Sequence, residues 1–264
     1  MSLIKTFRRT RQAVTRLAGA RRRPAAGRGG RSAGRALAAG TLAAAAMPAI
    51  VAPAMAADAA TALVLAARAN QTSAVRNALR AGVDPNSTSS EYGPAIVAAA
   101  FNQAWDTLGL LAKARGIDLN RPNERDETAL MLAALHGQLD AVRQLVDAGA
   151  DVNRTGWTPL HYAVVSGNAD VVRYLLEQSA YIDAQSPNAT TPLMMAARQK
   201  LPSIAELLVE EGADPTPRNQ SGLSAADYFE RNGDTDRAKW LRDRARAFEE
   251  RYGTEAAPKF TSPR

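Results

Sequence analysis

No cysteine occurs among the 264 residues. This excludes disulfide staples, thiol nucleophiles and thiolate metal sites. Histidine occurs only as His136 and His161, too few for a multi-histidine metal centre. Aromatic residues make up 5% of the chain, which speaks against a β-rich sandwich. The phosphate-binding G-x-x-x-x-G-K-[ST] loop, the G-x-S-x-G elbow and the H-E-x-x-H zinc motif are all missing. The acidic pairs Asp126-Glu127 and Glu210-Glu211 have no base or nucleophile beside them in sequence and are expected to be surface charges. No catalytic residue, metal ligand or cofactor-binding residue is therefore assigned, and no small-molecule substrate is expected.

Acidic residues are absent altogether before Asp58, whereas Lys5, Arg8, Arg9, Arg11, Arg16, Arg21, Arg22, Arg23, Arg28, Arg31 and Arg35 all precede it. The formal net charge of +7 thus belongs to the front of the chain. Removing those 11 cations leaves 22 basic against 26 acidic residues, a net of −4. A mildly acidic body is a poor general binder of nucleic acid. The front has three zones: an Arg-rich block over 1–35, an uncharged Ala-rich run over 36–52, and small residues ending Ala54-Met55-Ala56. This order is that of a secretory signal segment: positive end, apolar stretch, small-residue cleavage site. Cleavage is expected after Ala56, with Ala54 and Ala57 as alternatives. Alanine is too weakly apolar, and Pro48 and Pro53 are too disruptive, for a permanent span. A mitochondrial transit peptide would be amphipathic rather than divided into blocks. Arg8-Arg9 suggests a twin-arginine signal, but Thr10, Arg11 and Gln12 stand where apolar residues belong, so the export route stays open.

The remainder repeats itself. Thr61, Gly93, Thr128, Thr158, Thr191 and Ser224 begin similar segments spaced 32, 35, 30, 33 and 33 residues apart. The clearest reads Thr158-Pro159-Leu160-His161-Tyr162-Ala163, then Ser166-Gly167-Asn168, then Val171-Val172-Arg173-Tyr174-Leu175-Leu176. A Thr at a helix start accepts hydrogen bonds from unpaired N–H groups, and Pro at the first helical position loses no bond. Gly137 and Gly167 suit tight turns between two helices. Gly82, Gly149 and Gly212 suit the left-handed end of the second helix. Leu160, Leu193, Met194 and Met195 are expected in the core. Asp151-Val152-Asn153 and its counterparts enter an exposed turn.

This pattern resembles the ankyrin-repeat family, whose signature T-P-L-H-x-A recurs about every 33 residues. The resemblance covers roughly residues 58–242 and implies an all-α solenoid of six helix-turn-helix repeats with β-turn fingers. It also implies a non-enzymatic protein-binding scaffold, and an exported bacterial member of the family once the signal-like front is counted. The expected division is a signal-like segment over 1–56, a repeat domain over 57–247, and a helix end with a loose tail over 248–264. In this family partners dock on the concave side, on finger tips and the exposed ends of first helices. Carried onto this chain, those positions include Tyr92, Phe101, Arg125, Glu127, Leu135, His136, Trp157, Val165, Ser166 and Arg198. Tyr92 and Trp157 are equally compatible with packing between fingers. In the family the His of T-P-L-H, here His161, braces adjacent turns. The expected partner is another protein, with no nucleic acid for the mature chain and the membrane met only in transit, which places the protein in the periplasm or otherwise outside the cytoplasm. The alternative is an unprocessed cytoplasmic or membrane-associated adaptor whose basic front contacts nucleic acid or anionic lipid.

Overall fold

The computed structural model describes residues 51–253, with side chains from Ala57 onward. The signal-like block and apolar run up to residue 50, and the tail over 254–264, lie outside the described residues.

Twelve helices follow one another in six pairs among the described residues. They are α1 (Val51–Arg68), α2 (Thr72–Arg80), α3 (Ala95–Phe101), α4 (Trp105–Ala112), α5 (Ala129–Leu135), α6 (Leu139–Asp147), α7 (Pro159–Ser166), α8 (Ala169–Glu177), α9 (Pro192–Arg198), α10 (Pro202–Glu210), α11 (Ala225–Arg231) and α12 (Thr235–Tyr252). First helices α3, α5, α7, α9 and α11 pack in a row, each against the next, and second helices α2, α4, α6 and α8 form a parallel row behind them. The architecture is the all-α ankyrin solenoid. The two-residue strands β1 (Thr88–Ser89) and β2 (Gly93–Pro94) pair antiparallel inside one inter-repeat finger.

The central first helices α5, α7 and α9 are short and buried along nearly their whole length, because each is covered by its own second helix and by the first helices on both sides. Leu130, Leu132, Leu160 and Leu193 are 0–1% exposed. Met194 and Met195 join them in the core. The helices start where small polar side chains can cap them. Thr128, Thr158, Thr191 and Ser224 accept from the N–H of Met131, His161, Met194 and Asp227, respectively, at 3.3–3.4 Å.

Two boundaries differ from the sequence expectation. Thr61 starts no helix. The small, helix-favouring residues before it let α1 begin at Val51, so Thr61 lies inside it. In the second repeat the cap is Pro94, not Gly93. Gly93 and Pro94 pair with Ser89 and Thr88 across the finger, and that pairing moves the helix start one residue along. Tyr92 therefore corresponds to Asp126, two residues before the cap, rather than to Trp157. At the far end, α12 runs through residue 247 to Tyr252. Its charged face ties back through ion pairs of Arg237 with Glu206 at 3.3 Å and of Arg242 with Glu230.

Side-chain amides join repeat to repeat. Asn86, Asn120 and Asn153 each accept, through Oδ1, the backbone N–H of Asp118, Asp151 and Tyr181, at 2.7, 2.8 and 2.8 Å. Asn86 and Asn153 also donate through Nδ2 to the carbonyls of Gly116 and Ser179. The fourth rung is Asp183, which accepts from the N–H of Asp214 at 3.0 Å. A carboxylate has no hydrogen for a second, donating bond. Burial pushes the Asp183 carboxyl up to about 7; the Asp214 N–H opposes that shift and the neighbouring Asp214 carboxylate adds to it.

The finger turns require left-handed backbone. Gly156 supplies it in the third finger at φ 81°, but Ala189 adopts φ 58° in the fourth. A left-handed residue with a Cβ costs about 1–2 kcal/mol. Ala189→Gly is expected to raise the urea unfolding midpoint by an amount equivalent to about 1 kcal/mol, with an unchanged slope. No shift, or a lower midpoint, would show that the turn carries no such strain.

Candidate protein-binding face

Successive repeats bring like positions to one side. Phe101 ends α3, Leu135 ends α5, His136 follows it, Val165 and Ser166 end α7, and Arg198 ends α9. All six are half-buried.

The fingers reach these helix ends. In the first finger, Tyr92 lies under the guanidinium of Arg68, the last residue of α1, at 4.2 Å from the ring centre. In the second, the guanidinium of Arg125 lies 5.9 Å from the ring centre of Phe101, the last residue of α3. The same cation–ring contact thus occurs twice with the roles exchanged. It brings finger residues and first-helix ends onto one face. His136 closes the second cluster. It meets Trp105, the first residue of α4, edge to face at 5.9 Å. Burial holds the His136 pKa below its ordinary value. Trp105 therefore packs against the following repeat rather than only within its own turn.

Trp157 is half-buried and meets His161 edge to face at 5.2 Å. His161 lies wholly inside. Its Nε2 donates to the carbonyl of Thr190 in the next repeat at 2.9 Å, which leaves Nδ1 to accept from Thr158 at 2.9 Å. Burial depresses its pKa to about 4, the Thr190 contact opposing. His161 is thus a neutral brace, and Trp157 covers it.

Glu127 is not the surface charge expected from sequence. It is 4% exposed. Its Oε2 accepts from Asn123 Nδ2 at 3.0 Å and its Oε1 from the Tyr162 hydroxyl at 3.3 Å. Its place just before the cap points inward, and Tyr162 from the next repeat supplies the partner that makes burial tolerable. Its sequence neighbour Asp126 is the exposed member of the pair and takes Arg154 of the next finger at 2.6 Å. Arg154 and Asp126 thereby tie the second finger to the third.

The third finger is short. From rung to cap the chain runs from Asn153 to Thr158, whereas its neighbours run from Asn120 to Thr128 and from Asp183 to Thr191. Three residues fewer at this one finger give the row of tips a step beside Trp157. Among the described residues, no group of three or more His, Asp or Glu side chains could hold a metal ion.

A stack of helix pairs bridged by asparagine and aspartate rungs, with α5, α7, α9 and α11 capped by Thr or Ser side chains, defines a repeat scaffold. The model for ankyrin repeats in three copies matches residues 95–186 and 155–219, and this region belongs to the ankyrin-repeat family. The chain is 41% identical over 106 residues to the Neurogenic locus Notch protein of Drosophila melanogaster, covering 38% of this chain and 4% of that protein. It is 37% identical over 110 residues to Neurogenic locus notch homolog protein 1 of Danio rerio, covering 40% and 4%. An ankyrin repeat-containing protein of Schizosaccharomyces pombe is 34% identical over 116 residues, 42% of this chain and 55% of that protein. The chain therefore matches a small part of the Notch proteins and about half of the yeast protein. Ankyrin repeats are a non-catalytic module that mediates protein–protein interaction.

Proposed function

We propose that this chain is an exported, non-enzymatic scaffold that docks a partner protein on the face shared by its fingers and first-helix ends. The observation that carries the docking face is the repeated contact between a finger and a first-helix end, Tyr92 with Arg68 and Arg125 with Phe101. Half-buried aromatics flanked by arginine have the composition of an interface core and its rim. Phe101, Leu135, His136, Val165 and Trp157 supply the apolar part. Tyr92 joins them through its ring, and Ser166, Arg125 and Arg198 supply the polar edge. Glu127 acts from beneath, by holding Asn123 and Tyr162.

Export rests on the sequence. The acid-free basic block, the Ala-rich run and Ala54-Met55-Ala56 form a removable signal over 1–56 that delivers residues 57–264 to a bacterial periplasm. No helix of the described residues is long and apolar enough to cross a membrane. The Arg-rich block also favours a second reading, an unprocessed adaptor anchored electrostatically to nucleic acid or anionic lipid. Intact-mass measurement on protein from its native host separates the two. The mass of a chain starting near Ala57 is expected; full-length protein in the cytoplasm would support the second reading.

The docking face is tested by affinity capture. Trp157→Ala, Tyr92→Ala or Phe101→Ala is expected to cost about 2 kcal/mol or more of binding where the residue is an anchor. Arg173→Ala, on the exposed side of α8, is expected to leave binding unchanged. Retention of the partner by the triple variant, or equal loss with Arg173→Ala, would place the docking face elsewhere.

A further inference from the structure

The first-helix ends carry more cations than acids among the described residues. The turns that close the first helices carry Arg68, Arg198, Lys200 and Arg231. The acids at these ends, Glu230 and Asp234, are ion-paired with Arg242 and Arg237 of α12. Arg125 stands over Phe101 in the same face. The second helices expose both signs, Asp140, Asp147, Asp170, Glu177 and Glu210 together with Arg76, Arg80, Arg143 and Arg173. The net −4 of residues 57–264 therefore does not describe the face where fingers meet first-helix ends.

The cations of that face are free to act outward. Arg68, Arg125, Arg198 and Lys200 take part in none of the ion pairs among the described residues. Two are already positioned, Arg68 at 4.2 Å from the Tyr92 ring centre and Arg125 at 5.9 Å from that of Phe101. An arginine held by its planar face keeps its N–H edge for a carboxylate, which it can bind with two parallel hydrogen bonds. Holding the side chain on a ring also lowers the conformational entropy lost on binding. The fingers contribute opposing charge through Glu91 and Glu124, both exposed, and through Asp126, which is neutralised by Arg154. Cations on a half-apolar bed fit carboxylates interleaved with aliphatic or aromatic side chains. Four cations are too few for the dense phosphate contacts of a nucleic-acid site.

We propose that this face takes an acidic, partly apolar segment of a partner protein, its carboxylates meeting Arg68, Arg125, Arg198 and Lys200 and its apolar side chains seated beside Phe101, Leu135 and Trp157. The proposal rests on the docking reading above and names the chemistry of its partner.

The test is selection of peptides from a random display library on the immobilised full chain, followed by titration of labelled winners against variants. All variants retain residues 1–35, so only differences between variants report on this face. The selected peptides that require Trp157 and Phe101 are expected to be net negative and to contain apolar residues. Binding should weaken about tenfold or more in Arg68→Gln/Arg198→Gln/Lys200→Gln, fall between about 50 and 300 mM salt, and survive Arg143→Gln/Arg173→Gln on the second helices. Neutral or basic winners that still require Trp157 and Phe101 would overturn the acidic partner while leaving the docking face in place. Winners indifferent to Trp157→Ala and Phe101→Ala but lost with Arg143→Gln/Arg173→Gln would overturn both. A poly(dT) strand that loses as much affinity as the peptides in the triple charge variant would overturn the proposal in favour of nucleic acid.

Discussion

Leu160→Ala lowers the free energy of unfolding by about 2–5 kcal/mol, from lost apolar burial plus the cavity left behind. Leu160 is 0% exposed, in a helix flanked by first helices on both sides. The surrounding repeats cannot close over the gap without breaking the Asn120 and Asn153 rungs that fix their spacing. Leu193→Ala, one repeat on and 1% exposed, has a loss in the same range. Because each repeat is stabilised mainly by its neighbours, either change loosens the centre of the array rather than one helix. Arg173→Ala, on the exposed side of α8, shifts stability by no more than about 0.5 kcal/mol. Urea unfolding followed by helical circular dichroism checks all three. Unchanged stability in both leucine variants would refute the core register.

The wild type's stability between pH 7 and 4 is set in part by two groups, the buried His161 and the half-buried Asp183, that titrate with opposite consequences. His161 is neutral in the fold, its pKa depressed to about 4, while an unfolded histidine titrates near 6.5. Its contribution is complete above 6.5 and is lost as pH falls from there toward 4, a loss of about 3 kcal/mol. Lowered by burial, His136 adds to this loss in the same direction. Asp183 behaves oppositely. Its folded pKa is raised to about 7 while an unfolded aspartate titrates near 3.9. Its contribution is complete below about 4 and is lost as pH rises toward 7. Asp183→Asn removes the second effect and supplies the amide found at the other rungs. That variant is more stable than the wild type at pH 7, and its stability falls steeply on acidification. His161→Gln exposes the reverse slope. Parallel pH profiles for wild type and Asp183→Asn would show that the fourth rung is not a titrating group.

What the sequence made legible was local. Thr128, Thr158 and Thr191 announced the caps because a hydroxyl and the N–H three residues on belong to one turn. Leu160, Leu193, Met194 and Met195 announced the core because their spacing repeats with the fold. The finger–helix contacts were less legible. Tyr92 meets Arg68 and Arg125 meets Phe101 across 24 residues in each case, and neither pair has a short-range signature. Glu127 misled for the same reason. Its neighbour Asp126 suggests a surface pair, but Tyr162 of the following repeat turns Glu127 into an interior group. The rungs carried a usable signal, since Asn86, Asn120, Asn153 and Asp183 recur with the repeat. As turn formers, those residues already had a sufficient local explanation, which hid the bond that each makes to the next repeat. The start of α1 was obscured by composition: an Ala-rich run preceding Thr61 favours both a signal segment and a helix.

The most direct measurement of the docking claim is amide hydrogen exchange of the full chain, alone and with the partner captured by the wild type. Protection is predicted in the fingers around Tyr92, Arg125 and Trp157 and at the ends of α3, α5, α7 and α9, with α6, α8 and α10 unchanged. Protection confined to α6, α8 and α10 would contradict it.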